Sequence, residues 1–600
     1  MRNKARKAAG ILTVVFLLLT AAIIYTHGVM ARKDAMHDRF LATGREAIRF
    51  LSSYSKALTG GFRMKEGSNV ASFYSESYSV RGRGDWVFEQ EPAQAGVSVF
   101  RLKPVGHRDY SKADRQAEVV RYLTSIKSID HVELKINLIE NVDFDRAVVL
   151  TVKFVLDGTD AGDRLFEDRF FYRWHLANEG TKSEHDWKIV KDELVEGVRV
   201  AGDGHAFLDV DPETIGIDYK HQRDPKLDVK SPSAHSAFIM GHAFGGVSTV
   251  DYNNDGRPDI FFADGRRSRL YRNDGITPSG QIRFTDVTHE AGLDGIDQAT
   301  AGIFADVDND GFPDLLVLRY LAPNKLFHNN GDGTFTDRSA EMGLDFIGTS
   351  TSACFLDYDR DGYVDLYVAQ YGDAFHDSPR LPFFAQNAKP NRLFHNERGR
   401  RFKDVTEQSG TGDTGWSLAV ACDDYDGDGF PDIAVANDFG RKNLYHNNHD
   451  GSFTEMAKHA GVLDFGGGMG VAFADVDDDG YLDLYTSNVN TNQRWYGEEV
   501  TINQYIRNVS RTKWAFLDAG EYWKLYQLLG PQWVKLGRQV GEGNSLFHNN
   551  GNGTFTKLEE SQTNRAGWSW GVVFFDMDNS TKLDIYAANG WISNAPNTDL

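Results

Sequence analysis

The sequence predicts a mainly β protein, a β-propeller preceded by a small α+β domain and an N-terminal membrane or signal helix, and three observations predict it. One nonapeptide recurs six times between residues 251 and 584. Each copy is flanked by short apolar runs such as GGVSTV before and IFFA, LYVA or IAVA after, which read as antiparallel strands joined by the nonapeptide. Gly is high at 59 and Pro low at 15, the balance of a chain with many tight turns between strands. At 600 residues and 67.2 kDa the chain exceeds what one core holds, so several domains are expected. The formal net charge of −21 argues against a nucleic-acid partner, whose phosphates need a basic footprint. Two cysteines, Cys354 and Cys422, exclude a disulfide framework and a multi-Cys zinc site.

Residues 1–31 read as a signal anchor or signal peptide. Arg2, Lys4, Arg6 and Lys7 precede an apolar run from Ala8 to Tyr25, and basic residues before such a run hold the N-terminus in the cytoplasm while the downstream chain is exported. Anchored or cleaved, the rest of the chain is expected to be extracytoplasmic, with the membrane as a partner only if the helix is retained. Residues 32–57 carry a helical pattern through Met36, Phe40, Ile48, Phe50 and Leu51, a linker that lifts the protein off a membrane or packs on the next domain. Residues 58–200 read as an α+β domain, with a helix over Lys112–Ile126 and strands over Val132–Ile139, Ala147–Leu156, Arg164–His175 and Trp187–Val190. A helix followed by long strands resembles a cystatin-like or nuclear-transport-factor-like cone, on element order alone. His107, His131 and His175 read as surface or core residues rather than ligands.

Residues 201–600 carry the repeats. The copies are DYNNDGRPD, DVDNDGFPD, DYDRDGYVD, DYDGDGFPD, DVDDDGYLD and a degenerate DMDNSTKLD. Oxygens at positions 1, 3, 5 and 9, with Gly at 6, suit one hard cation that takes six to eight oxygen ligands. In the first copy these are Asp251, Asn253, Asp255 and Asp259; in the second, Asp306, Asp308, Asp310 and Asp314. The third offers Asp357, Asp359, Asp361 and Asp365, and the fourth Asp424, Asp426, Asp428 and Asp432. The fifth offers Asp475, Asp477, Asp479 and Asp483; the sixth keeps Asp576, Asp578 and Asp584 but has Ser580 and Thr581 at positions 5 and 6. Carboxylates crowded this closely repel without a cation, and oxygen-only donors favour calcium over zinc, copper or iron. About five Ca2+ sites are therefore expected, with a sixth degenerate. An EF-hand is excluded, because position 12 is Phe262, Val317, Val368, Val435, Thr486 or Ala587 and never Glu.

A second motif alternates with the first: LYRNDG at Leu270, LFHNNGDGTFTD at Leu326, LFHNERGRRFKDVT at Leu393, LYHNNHDGSFTE at Leu444 and LFHNNGNGTFTK at Leu546. Apolar residues around an Asn/Gly/Asp turn make a hairpin, so each unit holds two hairpins, the four strands of one propeller blade. His328, His395, His446 and His548 recur once per unit and read as structural, since they would lie around a ring rather than converge. FLDV at Phe207 opens the series. These two motifs in register resemble FG-GAP, or VCBS, repeats of the integrin α-subunit type. The LFHN segments narrow the resemblance to the cartilage acidic protein and ASPIC/UnbV class. It implies a calcium-stabilised propeller, usually seven-bladed, acting outside the cell in binding or adhesion. Six units are visible, and the chain stops at Leu600 before the hairpin that should follow the sixth, so either one blade is left short or, the favoured expectation, the sequence ends before a seventh blade. The spacing between the fifth and sixth copies is doubled by a segment at about 491–543 with helical periodicity. Its Trp495, Trp514, Trp523 and Trp533 mark the candidate partner surface.

The expected function is non-catalytic binding of a protein or polysaccharide in adhesion, recognition or an envelope complex. The alternative is a calcium-dependent polysaccharide-degrading enzyme of the lyase kind, for which no convergent acid/base set can be assembled. GWSWG at Gly567 matches a hydrolase elbow pattern but lies on the strand before a calcium loop and lacks its strand–turn–helix setting.

Overall fold

The computed structural model describes residues 43, 46–60, 68–81, 85–90, 97–105, 109–143, 146–181, 185–202, 212–222, 245–373 except 279, 377, 379, 384–488, 523–530 except 525, 543–558, 563, 569–577 and 581–589. The chain divides into two compact units that part between Leu208 and Asp209. The N-terminal apolar run, FLDV at Phe207, Asp578, Trp495, Trp514 and Trp533 lie outside the described residues. Among those described, no helix is long and apolar enough to cross a membrane.

The first unit is a six-stranded antiparallel sheet in the order Asp85–Gln90, Val97–Val105, Trp187–Gly202, Leu165–Asn178, Ala147–Asp160, Ile126–Asp143. In Ala147–Asp160 the alternating Val148, Leu150, Val152, Phe154 and Leu156 are buried, the period of a strand with one face on a core. Helix Lys112–Thr124 packs Val119 and Leu123 into that core, and a capping box between Ser111 and Asp114 starts it. A helix over 46–60 adds Phe50, Leu51, Tyr54 and Leu58 to the same core, so this part of the chain packs on the α+β domain, one of the two placements its helical pattern allows. The strands are longer than the sequence suggests, for two reasons. Register shifts at Ile129/His131 and Ile136/Leu138 break the two-residue period of Ile126–Asp143. In Trp187–Gly202 the apolar alternation is interrupted by Asp192, which is fully buried and paired with Arg115 at 2.9 Å.

The second unit is a succession of four-stranded antiparallel sets spanning 246–286, 299–337, 347–404, 417–455 and 468–557, the second and third joined into one eight-stranded sheet where Asp314–Pro323 pairs with Ile347–Leu356, and a last described hairpin of Ser569–Phe575 with Asp584–Asn589. In each, position 9 of the nonapeptide begins the second strand and pairs with the residue just before position 1: Asp314 with Ala305, Asp365 with Leu356, Asp483 with Ala474. Apolar clusters straddle successive sets; one joins Phe261 of the first to Leu315 and Phe335 of the second. Gly302 makes this contact possible, since a Cβ there would meet the Phe261 ring at 2.4 Å. FG-GAP-type strand pairs stacked in this way fit a propeller-like fold.

Cys354 and Cys422, too few for a disulfide framework, form one disulfide between the first strands of the third and fourth four-stranded sets, with Cα atoms 6.0 Å apart. The segment at 491–543 leaves between the second and third strands of the fifth set, which still pair at Leu484 with Phe547 and Thr486 with Ser545. Within it Trp523 is exposed and stacks on Tyr526 at 5.7 Å.

Candidate metal centres

Each nonapeptide is built by its own side chains turning back on its backbone. In the second copy Asp306 accepts from the N–H groups of Asp310 (3.1 Å) and Gly311 (2.8 Å), and Asp310 accepts from Phe312 N–H (2.9 Å). Asp314 closes the loop by accepting from Val307 N–H at 3.2 Å. The same bonds recur in the third, fourth and fifth copies. Two positions need positive φ. Position 6 is Gly in the five regular copies, with φ between 83° and 92°. Position 4 is also left-handed in each, as Asn254, Asn309, Arg360, Gly427 and Asp478. At Gly311 a Cβ meets nothing within 4 Å, so only the backbone resists a side chain. Gly311→Ala is expected to lower the unfolding free energy by about 1–2 kcal/mol, the cost of a left-handed residue with a Cβ, measured by urea denaturation.

Folded this way, the loops gather the carboxylates the spacing singled out. Asp306, Asp308 and Asp310 offer oxygens within 4.8 Å of one another. Asp308 Oδ1 and Asp426 Oδ1 are buried with no hydrogen-bond partner among the described residues. Burial first, and neighbouring carboxylates after it, push position 3 up at Asp308 and Asp426, and burial also raises Asp359. Position 9 is pushed further: Asp259 and Asp314 to about 6, Asp365 and Asp432 to about 8, again chiefly by burial and against the backbone N–H groups they accept from. Orphaned oxygens and carboxylates driven toward protonation are what a cation would relieve, so these residues fit a bound metal.

The copies are not equal. In the first, Arg257 at position 7 turns back to Asp255 at 2.6 Å and to the Asn273 carbonyl at 2.8 Å, placing a positive charge beside the ligands. In the sixth, Asp576 accepts from Thr581 N–H and Asp584 from Met577 N–H, so the frame of the turn is kept without the full donor set.

Two residue types that sequence reasoning sets aside converge on these loops. His328 Nδ1 lies 3.0 Å from Asp314 and 3.4 Å from Asp308. His395, His446 and His548 stand likewise between positions 3 and 9 of their own units. The Asn after each His donates its backbone N–H to the position-9 Asp: Asn329 to Asp314, Asn396 to Asp365, Asn447 to Asp432, Asn549 to Asp483. Its side-chain amide reaches the position-2 carbonyl of an earlier unit at 2.7–2.9 Å, from Asn329 to Tyr252, Asn396 to Val307, Asn447 to Tyr358 and Asn549 to Tyr425. Position 4 adds a second tie, Asn254 to the Gly311 carbonyl and Asn309 to that of Gly362. Successive loops are thus hydrogen-bonded into one continuous rim.

The paired motifs match the FG-GAP-like repeat over residues 251–317, 306–368, 383–435, 424–486 and 536–587. Residues 251–587 therefore carry FG-GAP-like repeats. It is similar to cartilage acidic protein 1 of Xenopus tropicalis, 25% identical over 316 residues covering 50% of this chain and 44% of the relative. The human protein of the same name is 24% identical over 317 residues, covering 50% of this chain and 43% of its own. The mouse protein is 25% identical over 344 residues, covering 51% and 49%. The chain thus spans less than half the length of the curated relatives it matches. Among solved structures, an Agrocybe aegerita lectin specific for non-reducing terminal N-acetylglucosamine aligns at 15% identity over 85% of this chain and 96% of its own, with a TM-score of 0.31.

Proposed function

We propose that the five regular FG-GAP-like loops each hold one calcium ion, and that the unit is an exported, calcium-stabilised β-propeller that binds a protein or polysaccharide without transforming it. The observation that carries this reading is the set of buried, crowded carboxylates with orphaned oxygens, Asp308 and Asp426 foremost. Calcium there would replace the protons that burial otherwise drives onto positions 3 and 9, and fix the loops geometrically. Positions 1, 3, 5 and 9 would supply the oxygens; the histidines and asparagines orient position 9. Export is supported by the basic-then-apolar N-terminus and by the Cys354–Cys422 disulfide, a bond that persists in oxidising compartments. The exposed Trp523–Tyr526 stack makes the segment at 491–543 the proposed contact surface, with Trp495, Trp514 and Trp533 on the same segment.

The test is retention of the full chain on immobilised polysaccharides in millimolar calcium and then in chelator, with a parallel assay for new chain ends. Retention that chelator abolishes and that Trp523→Ala weakens about tenfold, the effect of losing one aromatic anchor, is the expected result. New reducing or unsaturated ends would make the protein a polysaccharide-degrading enzyme instead.

A further inference from the structure

The α+β unit contains a cavity that nothing in the repeat chemistry uses. It has a volume of about 630 Å3 and lies between the sheet and the two helices, 46–60 and Lys112–Thr124. That size falls within the range of small-molecule sites and is far larger than a packing defect. Its sheet wall is aromatic, with Phe154 and Phe170 stacked at 5.7 Å and nearly parallel, and Trp174 beyond them. Trp174 is only 2% exposed, and its indole N–H finds no hydrogen-bond partner among the described residues. A buried indole N–H ordinarily has an acceptor, so one is expected on whatever fills the space.

The charge in the wall is already answered. Arg115 is buried, with Asp192 at 2.9 Å and Glu118 at 2.6 Å, and its guanidinium lies over the Tyr172 ring at 5.2 Å. The guanidinium and the two carboxylates are engaged with one another, and Asp192 also accepts from the Tyr78 hydroxyl, so the wall offers an anionic ligand no uncommitted cation and a cationic one no uncommitted carboxylate. Arg121 also lines the cavity, but it is exposed and belongs to the rim.

We propose that this cavity binds an uncharged, largely apolar, ring-bearing small molecule that carries one hydrogen-bond acceptor for the Trp174 N–H. The flat stacked pair suits a fused-ring face, and the lone donor suits a carbonyl or ether oxygen. The site is independent of the calcium loops, so it stands whether or not the repeats bind metal.

The experiment titrates the full chain with Nile red, an uncharged fused-ring dye with a ring carbonyl, and with anthracene, which has the rings and no acceptor. Saturable one-to-one binding of both is expected. Val119→Phe, which pushes a larger side chain from helix Lys112–Thr124 into the cavity, should weaken both at least tenfold; Leu58→Phe blocks the same space from the other helix if that variant does not melt cooperatively. Trp174→Phe should weaken Nile red five- to tenfold and leave anthracene unchanged. Non-saturable uptake of Nile red, or equal uptake by a folded cavity-filled variant, would overturn the site. Equal weakening of both probes by Trp174→Phe would overturn the acceptor-bearing ligand class.

Discussion

Calcium removal is expected to lower the melting temperature of the repeat unit by about 9–17 °C. Extracellular calcium modules bind at about 10⁻⁴–10⁻³ M, so about 10 mM calcium stabilises each filled site by roughly 1.4–2.7 kcal/mol through mass action. Five sites then sum to roughly 7–14 kcal/mol. A unit of about 390 residues has an unfolding entropy near 0.8 kcal/mol/K, which converts that sum into the stated shift. Calorimetry of the full chain in calcium and in excess chelator reads it directly. A shift under about 2 °C would mean that the nonapeptides are turns held by their own hydrogen bonds, and the calcium reading would fall.

The same loops fix the sign of the pH dependence. Without metal, burial raises position 9 above its unfolded value, to about 6 at Asp259 and Asp314 and about 8 at Asp365 and Asp432. A raised carboxyl contributes stability while it is protonated, fully below about pH 4, and that contribution is lost as pH rises through 6 and then 8. In chelator the unit should therefore melt at a lower temperature at pH 8.5 than at pH 5. With calcium the trend should flatten or reverse, because protons and metal compete for the same oxygens. Equal calcium shifts at the two pH values would exclude position 9 from the binding set.

The loops are legible in the sequence because their chemistry is local: nine consecutive residues carry the donors, the glycine and the flanking strands. The features that escape it depend on pairing across distance. His328 reads as a structural residue on a ring, yet the register that pairs Leu315 with Phe327 sets the next residue, His328, opposite Asp314. The alternation of the two hairpins contains that information, but only once the strands are paired. Position 4 leaves a fainter trace in the run Asn, Asn, Arg, Gly, Asp, three of whose residue types tolerate left-handed backbone. The Cys354–Cys422 bond spans 68 residues and arises only from stacking the third set of strands on the fourth. In the α+β unit, Asp192 and Arg115 interrupt the apolar patterns because each is buried against the other, so hydropathy shortens one strand and misses the cavity wall. The membership of helix 46–60 in that core rests on Phe50, Leu51, Tyr54 and Leu58 meeting a sheet that the local sequence does not reveal.

Asn396→Ala is expected to destabilise the repeat unit by roughly 3–6 kcal/mol and to weaken two calcium loops at once. Asn396 is fully buried, and its amide donates to the Val307 carbonyl of the second loop at 2.8 Å and to the Val364 carbonyl of its own loop at 2.9 Å. Its side-chain oxygen accepts from Gly399 N–H at 2.8 Å. Alanine would leave the Val307 carbonyl and the Gly399 N–H buried without this partner, each worth about 1–3 kcal/mol when unsatisfied, and the part-buried Val364 carbonyl at a smaller cost. The exposed Asn330, whose amide donates to Thr334 and accepts from Thr336 in reach of water, should cost less than about 1 kcal/mol on the same change. The coupling to calcium comes from the two carbonyls that the amide bridges. Val307 is position 2 of the second loop and Val364 is position 8 of the third, beside Asp365, so one side chain sets the spacing of both. Calcium titration of Asn396→Ala should therefore show two weakened sites, and a mutation confined to one loop, such as Asp361→Asn, only one. A single weakened site in Asn396→Ala would mean that the loops are independent ligand cages on a common scaffold rather than one hydrogen-bonded rim.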